Sequence, residues 1–212
     1  DADNTFTVGQ DLADGGDLHK KGAGTLVLQG TNSYGNTAVA AGALIGDADA
    51  ISGSILNAGT ITFNQAGNAR FAGDIAGLNG TDGRMVKDGT GTLTLAGTSA
   101  LDWTIRSGGL TTAAERFAGD AAIGANATFT LDQQADAQFA GTLSGAGAFD
   151  KTGAGTLLYT GDGSAFTGTT TVAGGLLNVG TRDDAAVLGG TIAMQAGARL
   201  GGFGTVGDTT LA

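Results

Sequence analysis

Apolar and polar residues alternate along short stretches of this chain, and glycines separate the stretches. Leu26 and Leu28 fall on one side of such a stretch while Thr25 falls on the other, and Leu93 with Leu95 repeats the arrangement. A two-residue period is typical of a β-strand with one buried face. No segment has a convincing helical period, so the pattern predicts an all-β fold in which helices are nearly absent.

One frame, G-x-apolar-x-K-x-G-x-G-T-L, occurs three times, at residues 16–26, 83–93 and 147–157. Its recurring positions are Lys20, Gly22, Gly24 and Leu26 in the first copy, Lys87, Gly89, Gly91 and Leu93 in the second, and Lys151, Gly153, Gly155 and Leu157 in the third. Repetition at a fixed spacing indicates a repeat architecture. We therefore expect one segment, 1–212, built from repeat units at about 16–82, 83–146 and 147–212.

Two further elements recur around the frame. One reads apolar-x-x-G-x-L and begins at Val39, Ile105 and Val172. Its glycine predicts a bend between two short strands. The other contains a phenylalanine before Ala-Gly, at Phe71, at Phe117 and at Phe139.

Short strands with Gly, Asn and Asp between them favour a coil that stacks on itself, because a hairpin fold would need a tight turn between every pair of strands. Such a coil places equivalent side chains in ladders about 4.8 Å apart. The expected fold is a right-handed, three-sided parallel β-helix, or solenoid. At about 22 residues per coil the chain makes on the order of nine or ten coils, and 78–82 is one candidate for an insertion at a corner.

Composition fits this architecture. The chain has 41 Gly, no Pro, no Cys and only 6% aromatic residues, and a narrow coil interior needs few large side chains. The net charge of −10 argues against nucleic acid and anionic membrane surfaces as partners. The absence of Cys suits an exported chain. We expect no signal peptide at the start, no helix inserted in a membrane, and a fragment excised from a longer repeat array.

Two stretches, 22–44 and 153–180, resemble the passenger-associated repeat of bacterial autotransporters, which use type V secretion. The first copy matches that pattern at Asn32, Tyr34 and Thr37. The second copy departs from it in its loop, where Asp102 and Trp103 stand. The last stretch, 189–212, is similar to a segment near the C-terminal end of such passengers.

The resemblance implies a β-helical stalk at the bacterial cell surface or outside the cell, exported through the outer membrane. Its expected partner is a C-terminal outer-membrane β-barrel of the same parent chain. The family's repeat is found in adhesins and also beneath subtilisin-like protease domains. Two functions therefore stay open: a stalk that supports folding, secretion and presentation of an upstream effector, or a self-associating or host-binding adhesin segment whose partner is a host-cell surface or another passenger.

Candidate chemistry is sparse. The chain has one histidine, His19, which lies between Leu18 and Lys20 in an outward position and is expected to be solvated. Without Cys or a G-x-S-x-G elbow, no catalytic residue is predicted. Sequence alone places no two carboxylates face to face, so a polysaccharide-degrading β-helix ranks last. The stretch 201–206 approaches a calcium-binding repeat, but Val206 stands where the ligand Asp would be, so no metal or cofactor is predicted.

Two residue types remain to be interpreted. The lysines of the frame, Lys20, Lys87 and Lys151, are interpreted as solvated strand ends, too far apart to form a basic patch. Trp103 is the one tryptophan. It is expected either to pack in a corner or to contact a partner.

Overall fold

The computed structural model describes residues 4–13 and 15–211. The ends of the predicted segment, residues 1–3 and 212, and position 14 lie outside the described residues. The chain divides into two compact units, Asp1–Thr104 and Ile105–Ala212. The organisation into three repeat units within one segment stays a prediction.

Unit 1 consists of short strands joined by turns. Its strands are β1 (Thr5–Val8), β2 (Leu18–Lys20), β3 (Thr25–Leu28), β4 (Thr37–Val39), β5 (Ala43–Gly46), β6 (Ile55–Asn57), β7 (Thr60–Asn64), β8 (Ala69–Phe71), β9 (Ile75–Gly77), β10 (Arg84–Asp88) and β11 (Thr92–Leu95). The next strand, β12 (Trp103–Thr112), crosses the unit boundary.

Unit 2 also consists of strands joined by turns, and several of its strands are longer. Its elements after β12 are a 3-10 helix (Ala114–Arg116), β13 (Ala121–Asp132), β14 (Ala137–Phe139), β15 (Leu143–Gly145), β16 (Ala148–Thr152), β17 (Thr156–Tyr159), β18 (Asp162–Gly163), β19 (Thr169–Val172), β20 (Leu176–Val179), β21 (Val187–Met194), β22 (Arg199–Gly202) and β23 (Thr205–Leu211).

Strands of unit 1 pair in parallel with the strand one coil away. The stack β1, β3, β5, β7, β10 forms one face, and the stack β2, β4, β6, β9 forms a second. Coil length follows from the register. It runs from 17 residues, where Ala43 pairs with Thr60, to 24 residues, where Thr60 pairs with Arg84.

Unit 2 has three strand stacks, one for each side of a coil. The first contains β16, β19 and the C-terminal halves of β13, β21 and β23. The second is β14, β17, β20, β22. The third contains β15 and β18 with the N-terminal halves of β13, β21 and β23. All these pairings are parallel, and the presence of three stacks confirms the three sides for this unit.

The all-β prediction is confirmed. The parallel strands stack as a β-solenoid of about ten turns, and among the described residues the only helix is the three-residue 3-10 turn Ala114–Arg116. The right-handed coiling stays a prediction. The phenylalanine element forms a strand in two of its copies, β8 and β14, and this 3-10 turn in the third. The phenylalanine is buried in all three, at Phe71, Phe117 and Phe139.

Glycines bend the chain where the sequence predicted bends. Gly42 separates β4 from β5 and Gly175 separates β19 from β20, with φ of 70° and 66°. At 78–82 the predicted insertion is a two-residue turn, in which Leu78 and Thr81 exchange backbone hydrogen bonds of 2.9 and 3.0 Å. Asn79 and Gly80 at its tip both have positive φ, 54° and 76°. These are the residues that such a turn favours.

The interior is a ladder of apolar side chains. In unit 2, Phe129 stacks on Phe149 at 5.9 Å between ring centroids, and Phe139 lies 5.8 Å from Tyr159 one coil further on. Leu93 and Leu157 of the lysine frame are fully buried, as the alternation predicted. Each coil therefore buries its apolar residues against its own other sides and against the adjacent coils, as in other solenoids.

Candidate functional site: the lysine corners

The lysines of the frame point into the solenoid. The exposed fraction of the residue is 8% for Lys20 and 0% for both Lys87 and Lys151. Their interpretation as solvated strand ends was therefore wrong. The sequence contained the signal, because the frame places an apolar residue two positions before each lysine, as Phe149 precedes Lys151, and residues two apart share one side of a strand.

Backbone carbonyls surround the ammonium group of Lys151. Its Nζ donates to the carbonyls of Thr152 at 3.1 Å, Gly153 at 2.8 Å and Gly155 at 2.6 Å, all in its own corner loop. A fourth bond, 2.9 Å long, reaches Gly174 in the next coil. A buried charge is stable only when it is paired or fully hydrogen-bonded, and here carbonyl dipoles provide the hydrogen bonds.

Unit 1 contains two corners of the same kind. Lys20 Nζ donates to the carbonyl of Gly22 at 2.7 Å and to that of Ala41, one coil on, at 2.9 Å. Lys87 Nζ donates to the carbonyls of Asp88 at 2.8 Å and Gly89 at 2.9 Å. The recurring contact is thus between the lysine and the loop that follows it.

The frame glycines form this loop. Gly22, Gly89 and Gly153 follow their lysines by two residues and have φ of 79°, 78° and 76°, a left-handed conformation that turns the carbonyls toward Nζ. A Cβ on Gly153 would collide with the carbonyl of Gln133 in the preceding coil. All three glycines are needed for the turn, and Gly89 and Gly153 are needed also for the close stacking of coils, whereas a Cβ on Gly22 would meet no neighbouring atom.

Burial changes the acid strength of the lysines. It lowers the pKa of Lys87 below its ordinary value, an effect that the charge of Asp88 opposes. Burial likewise lowers the pKa of Lys151, and the carboxylates of Asp132 and Asp136 oppose it. The carboxylates therefore offset part of the cost of removing each ammonium from water.

The copies of the frame do not occupy one equivalent corner. Lys20 ends β2, in the four-stranded stack, and its loop leads to β3 on the neighbouring face. Lys87 lies in β10, in the same stack as β3. The frame thus determines the shape of a corner but not which corner of the coil it forms. Lys20 and Lys87 lie in different strand stacks and are not aligned with each other.

Sequence reasoning missed two glutamines that lie beneath the lysine loops. Gln65 is 5% exposed and Gln133 is fully buried. The Gly91 N–H donates to the Gln65 carbonyl, and the Gly155 N–H to the Gln133 carbonyl, each at 2.9 Å. A signal existed in the sequence, because each glutamine precedes the buried phenylalanine of the next strand by six residues, at Phe71 and at Phe139.

Trp103 lies in the core of unit 1. It is 1% exposed, stacks on Phe63 at 6.0 Å between ring centroids, and donates from its indole Nε1 to the hydroxyl of Ser99 at 2.9 Å. This is the packing alternative of the two that the sequence left open, and it leaves the side chain no surface for a partner. His19 is exposed, as expected.

One outer face of unit 2 is rich in hydroxyl groups. The register aligns two rows of outward residues, one of Thr130, Asp150, Thr171, Ala193 and Thr210 and the other of Thr128, Ala148, Thr169, Thr191 and Asp208. The Thr169 and Thr191 hydroxyls lie 3.1 Å apart. Burial raises the pKa of Asp150, while a hydrogen bond from Thr171 opposes the rise. This surface is called the hydroxyl face below.

The described residues hold neither a metal-binding cluster nor a membrane-spanning helix. Among residues 4–13 and 15–211, no three His, Cys, Asp or Glu side chains are grouped so that they could hold a metal ion. Within the same residues, no helix has the length and apolar character needed to cross a membrane.

Comparison with known proteins gives three results. The stretches 18–45, 85–112 and 149–179 match the model of the passenger-associated-transport-repeat family. The chain is 33% identical over 179 residues to the Adhesin BmaC autotransporter of Brucella suis biovar 1 (strain 1330), an alignment that covers 84% of this chain but 4% of that protein. No solved structure matches the chain.

Proposed function

Because the chain belongs to the autotransporter passenger domains, as an adhesin-like segment that is surface-exposed or secreted via the outer membrane, we propose that it serves as a stalk. In this role it supports folding and secretion and presents an upstream effector of the parent chain. The parent chain is expected to continue into a C-terminal outer-membrane β-barrel. The segment itself has no enzymatic role in this proposal.

The observation that carries the proposal is the continuous hydrogen bonding from coil to coil. At one corner of unit 1 the Asp17 carboxylate accepts from Asn36 N–H at 2.7 Å, and the Asn36 carbonyl Oδ1 accepts from Ser54 N–H at 3.1 Å. The Ser54 hydroxyl accepts from Asp74 N–H at 3.3 Å, and the Asp74 carboxylate from Thr98 N–H at 2.7 Å. Such a chain of contacts allows a coil to dock on its folded neighbour as the polypeptide emerges.

The experiment deletes coils from the parent protein and counts surface-displayed passenger with an antibody to an upstream tag. Deleting 43–59 removes one full coil, because Ala43 and Thr60 hold the same register position, and display is expected to persist. Deleting 43–51 removes a partial coil and offsets the stacking register, and display is expected to fall about tenfold. Normal display after the partial deletion would refute the stalk role, as would equal loss from both deletions.

A second function is favoured by the hydroxyl face together with the name of the adhesin relative. Threonine rows about 4.8 Å apart can hydrogen-bond repeatedly to a host-cell surface or to another passenger, weakly at each coil but additively. Beads coated with residues 1–212 test this by their attachment to epithelial cells and by their clumping.

The matched variants separate this adhesive role from nonspecific adsorption. Alanine at Thr169 and Thr191 removes two exposed hydroxyls of the hydroxyl face, and alanine at Thr5 and Thr7 of β1, which are also exposed, is the control in unit 1. Loss of attachment or clumping only with the first pair supports adhesion. Equal binding by all variants, or binding no greater than that of albumin-coated beads, contradicts it.

A further inference from the structure

We infer that a buried glutamine and a buried lysine in adjacent coils join the coils around them into one cooperative folding block. The pair in unit 2 is Gln133 and Lys151, and the pair in unit 1 is Gln65 and Lys87. Each pair, with its backbone contacts, is called a corner column. The block would exist whether the segment presents an effector or binds a surface itself.

The glutamine of the unit 2 column reaches the preceding coil. Its Oε1 accepts from Ala114 N–H at 2.9 Å, and its Nε2 donates to the Glu115 carboxylate at 2.9 Å. The same Nε2 donates to the Ala135 carbonyl in its own loop at 2.8 Å. Two of its bonds therefore connect the 3-10 turn to the corner after β13, and the third holds the side chain in its own loop.

The lysine of this column reaches the following coil, through its bond to the Gly174 carbonyl. Backbone bonds join it to the glutamine, since Gln133 N–H donates to the Thr152 carbonyl at 3.0 Å and Gly155 N–H donates to the Gln133 carbonyl at 2.9 Å. Four successive coils, those of Ala114, Gln133, Lys151 and Gly174, are thus connected through two fully buried polar side chains.

Unit 1 repeats the glutamine part of this arrangement, next to the loop of a buried lysine. Gln65 Oε1 accepts from Ala48 N–H of the preceding coil at 3.0 Å, and Gln65 N–H donates to the Asp88 carbonyl in the loop of Lys87 at 2.8 Å. A buried glutamine that joins the preceding coil to a lysine loop thus occurs in both units, so this contact is not peculiar to one corner.

Partial unfolding has a high cost at such a column. In a solenoid held only by apolar stacking, coils detach from an end one at a time. Opening any coil of the column leaves a buried ammonium, amide or carbonyl without its partner, and each such loss is unfavourable. The coils of a column are therefore expected to open together.

Hydrogen exchange on the purified 212-residue chain tests this without any substitution. The amides of Ala114, Gln133, Gly155 and Ala173 are hydrogen-bonded between coils of the column. If they open together, their opening free energies agree, so that protection differs by no more than about threefold and responds equally to added denaturant. Widely different protection would overturn the inference.

Variants then test which side chains are responsible. Lys151→Met and Gln133→Met are each expected to speed exchange throughout 114–175 about tenfold or more, and the double variant is expected to add little to either, because both break one network. Lys21→Met is the control, since Lys21 is an exposed neighbour of Lys20. Faster exchange confined to the loop 152–156 would show that the lysine acts only locally. So would a double variant whose effect equals the sum of the two single effects.

Discussion

The first and third copies of the repeat have a threonine at the same interior position, but the two threonine hydroxyls differ in hydrogen bonding. Thr37 and Thr170 each lie two residues before the apolar residue of the second element, and both are fully buried. The Thr37 hydroxyl donates to the Ser52 carbonyl at 2.9 Å and lies 3.1 Å from the Tyr34 hydroxyl. The Thr170 hydroxyl has no hydrogen-bond partner among the described residues.

The difference originates in the loop before the strand. In the first copy, Tyr34 receives a hydrogen bond from Ser52 N–H at 3.1 Å, and Asn32 donates to the Ala50 carbonyl at 2.7 Å. In the third copy the buried aromatic residue of the loop is Phe166, which has no hydroxyl. The second copy has Trp103 at the position of Thr37 and Thr170, and its indole N–H donates to the Ser99 hydroxyl. The repeat thus determines the strand and the corner, while the loop decides whether a polar interior residue is satisfied.

The largest effect is expected from Trp103→Ala. Removal of a fully buried tryptophan typically destabilises a protein by about 3–5 kcal/mol, because the cavity does not close completely. Urea unfolding measures the change. Leu56→Ala is the control, since Leu56 is 46% exposed. Unchanged stability together with impaired binding would mean that Trp103 acts at a surface instead.

Thr37→Val is expected to destabilise unit 1 by about 1–2 kcal/mol, because it leaves buried groups of Ser52 and Tyr34 short of a partner. The measurement is again the midpoint of urea unfolding. Thr60→Val provides the control for the change of side chain at a half-buried outward position. A neutral Thr37→Val would indicate that water replaces the lost hydroxyl.

Thr170→Val is expected to act in the opposite direction and to stabilise unit 2 by about 1 kcal/mol, because it removes a desolvated hydroxyl without removing a hydrogen bond. Thermal unfolding of this variant and of Thr37→Val, measured side by side, gives the sign of each change. Destabilisation by both would mean that Thr170 has a partner and would remove the contrast between the two copies.

The smallest effect is expected on the pH dependence of the stability of unit 2. The N–H and the hydroxyl of Ser164 in the third loop hold the pKa of Asp162 below its ordinary value, whereas Asn32 in the first loop does not titrate. A lowered pKa adds stability above the ordinary carboxyl range, and this stability is lost as pH falls through the lowered value. Asp162→Asn is therefore expected to reduce the loss of unit 2 stability between about pH 6 and about pH 3. An unchanged acid profile would exclude this contribution.

Much of the fold was predictable because its signals are local. Alternation predicted strands such as β11 and β17, and glycine predicted the bends at Gly42 and Gly175. The Asn79-Gly80 turn was located as an insertion. These features depend on backbone preferences and on which side of a strand a residue occupies, and both are properties of a few neighbouring residues.

The lysine corners were less accessible to prediction. Lys151 was assigned to solvent although its spacing from Phe149 placed it on the inner side. Its stabilising partners are carbonyls of Thr152, Gly153 and other residues, and a carbonyl is present at every residue of every sequence. A sequence therefore gives no sign that these groups converge on one ammonium.

By itself, the sequence determined the kind of coil, the recurring corner and the positions of its turns, since each of these is specified within a single coil. Only the tertiary structure decided that backbone carbonyls converge on Lys151, that Gln65 and Gln133 connect coils, and that Thr170 lacks a hydrogen-bond partner among the described residues. The physical reason is that burial and hydrogen-bond satisfaction in a solenoid depend on the coils above and below. Those neighbours lie about 20 residues away in sequence, beyond the reach of any local pattern.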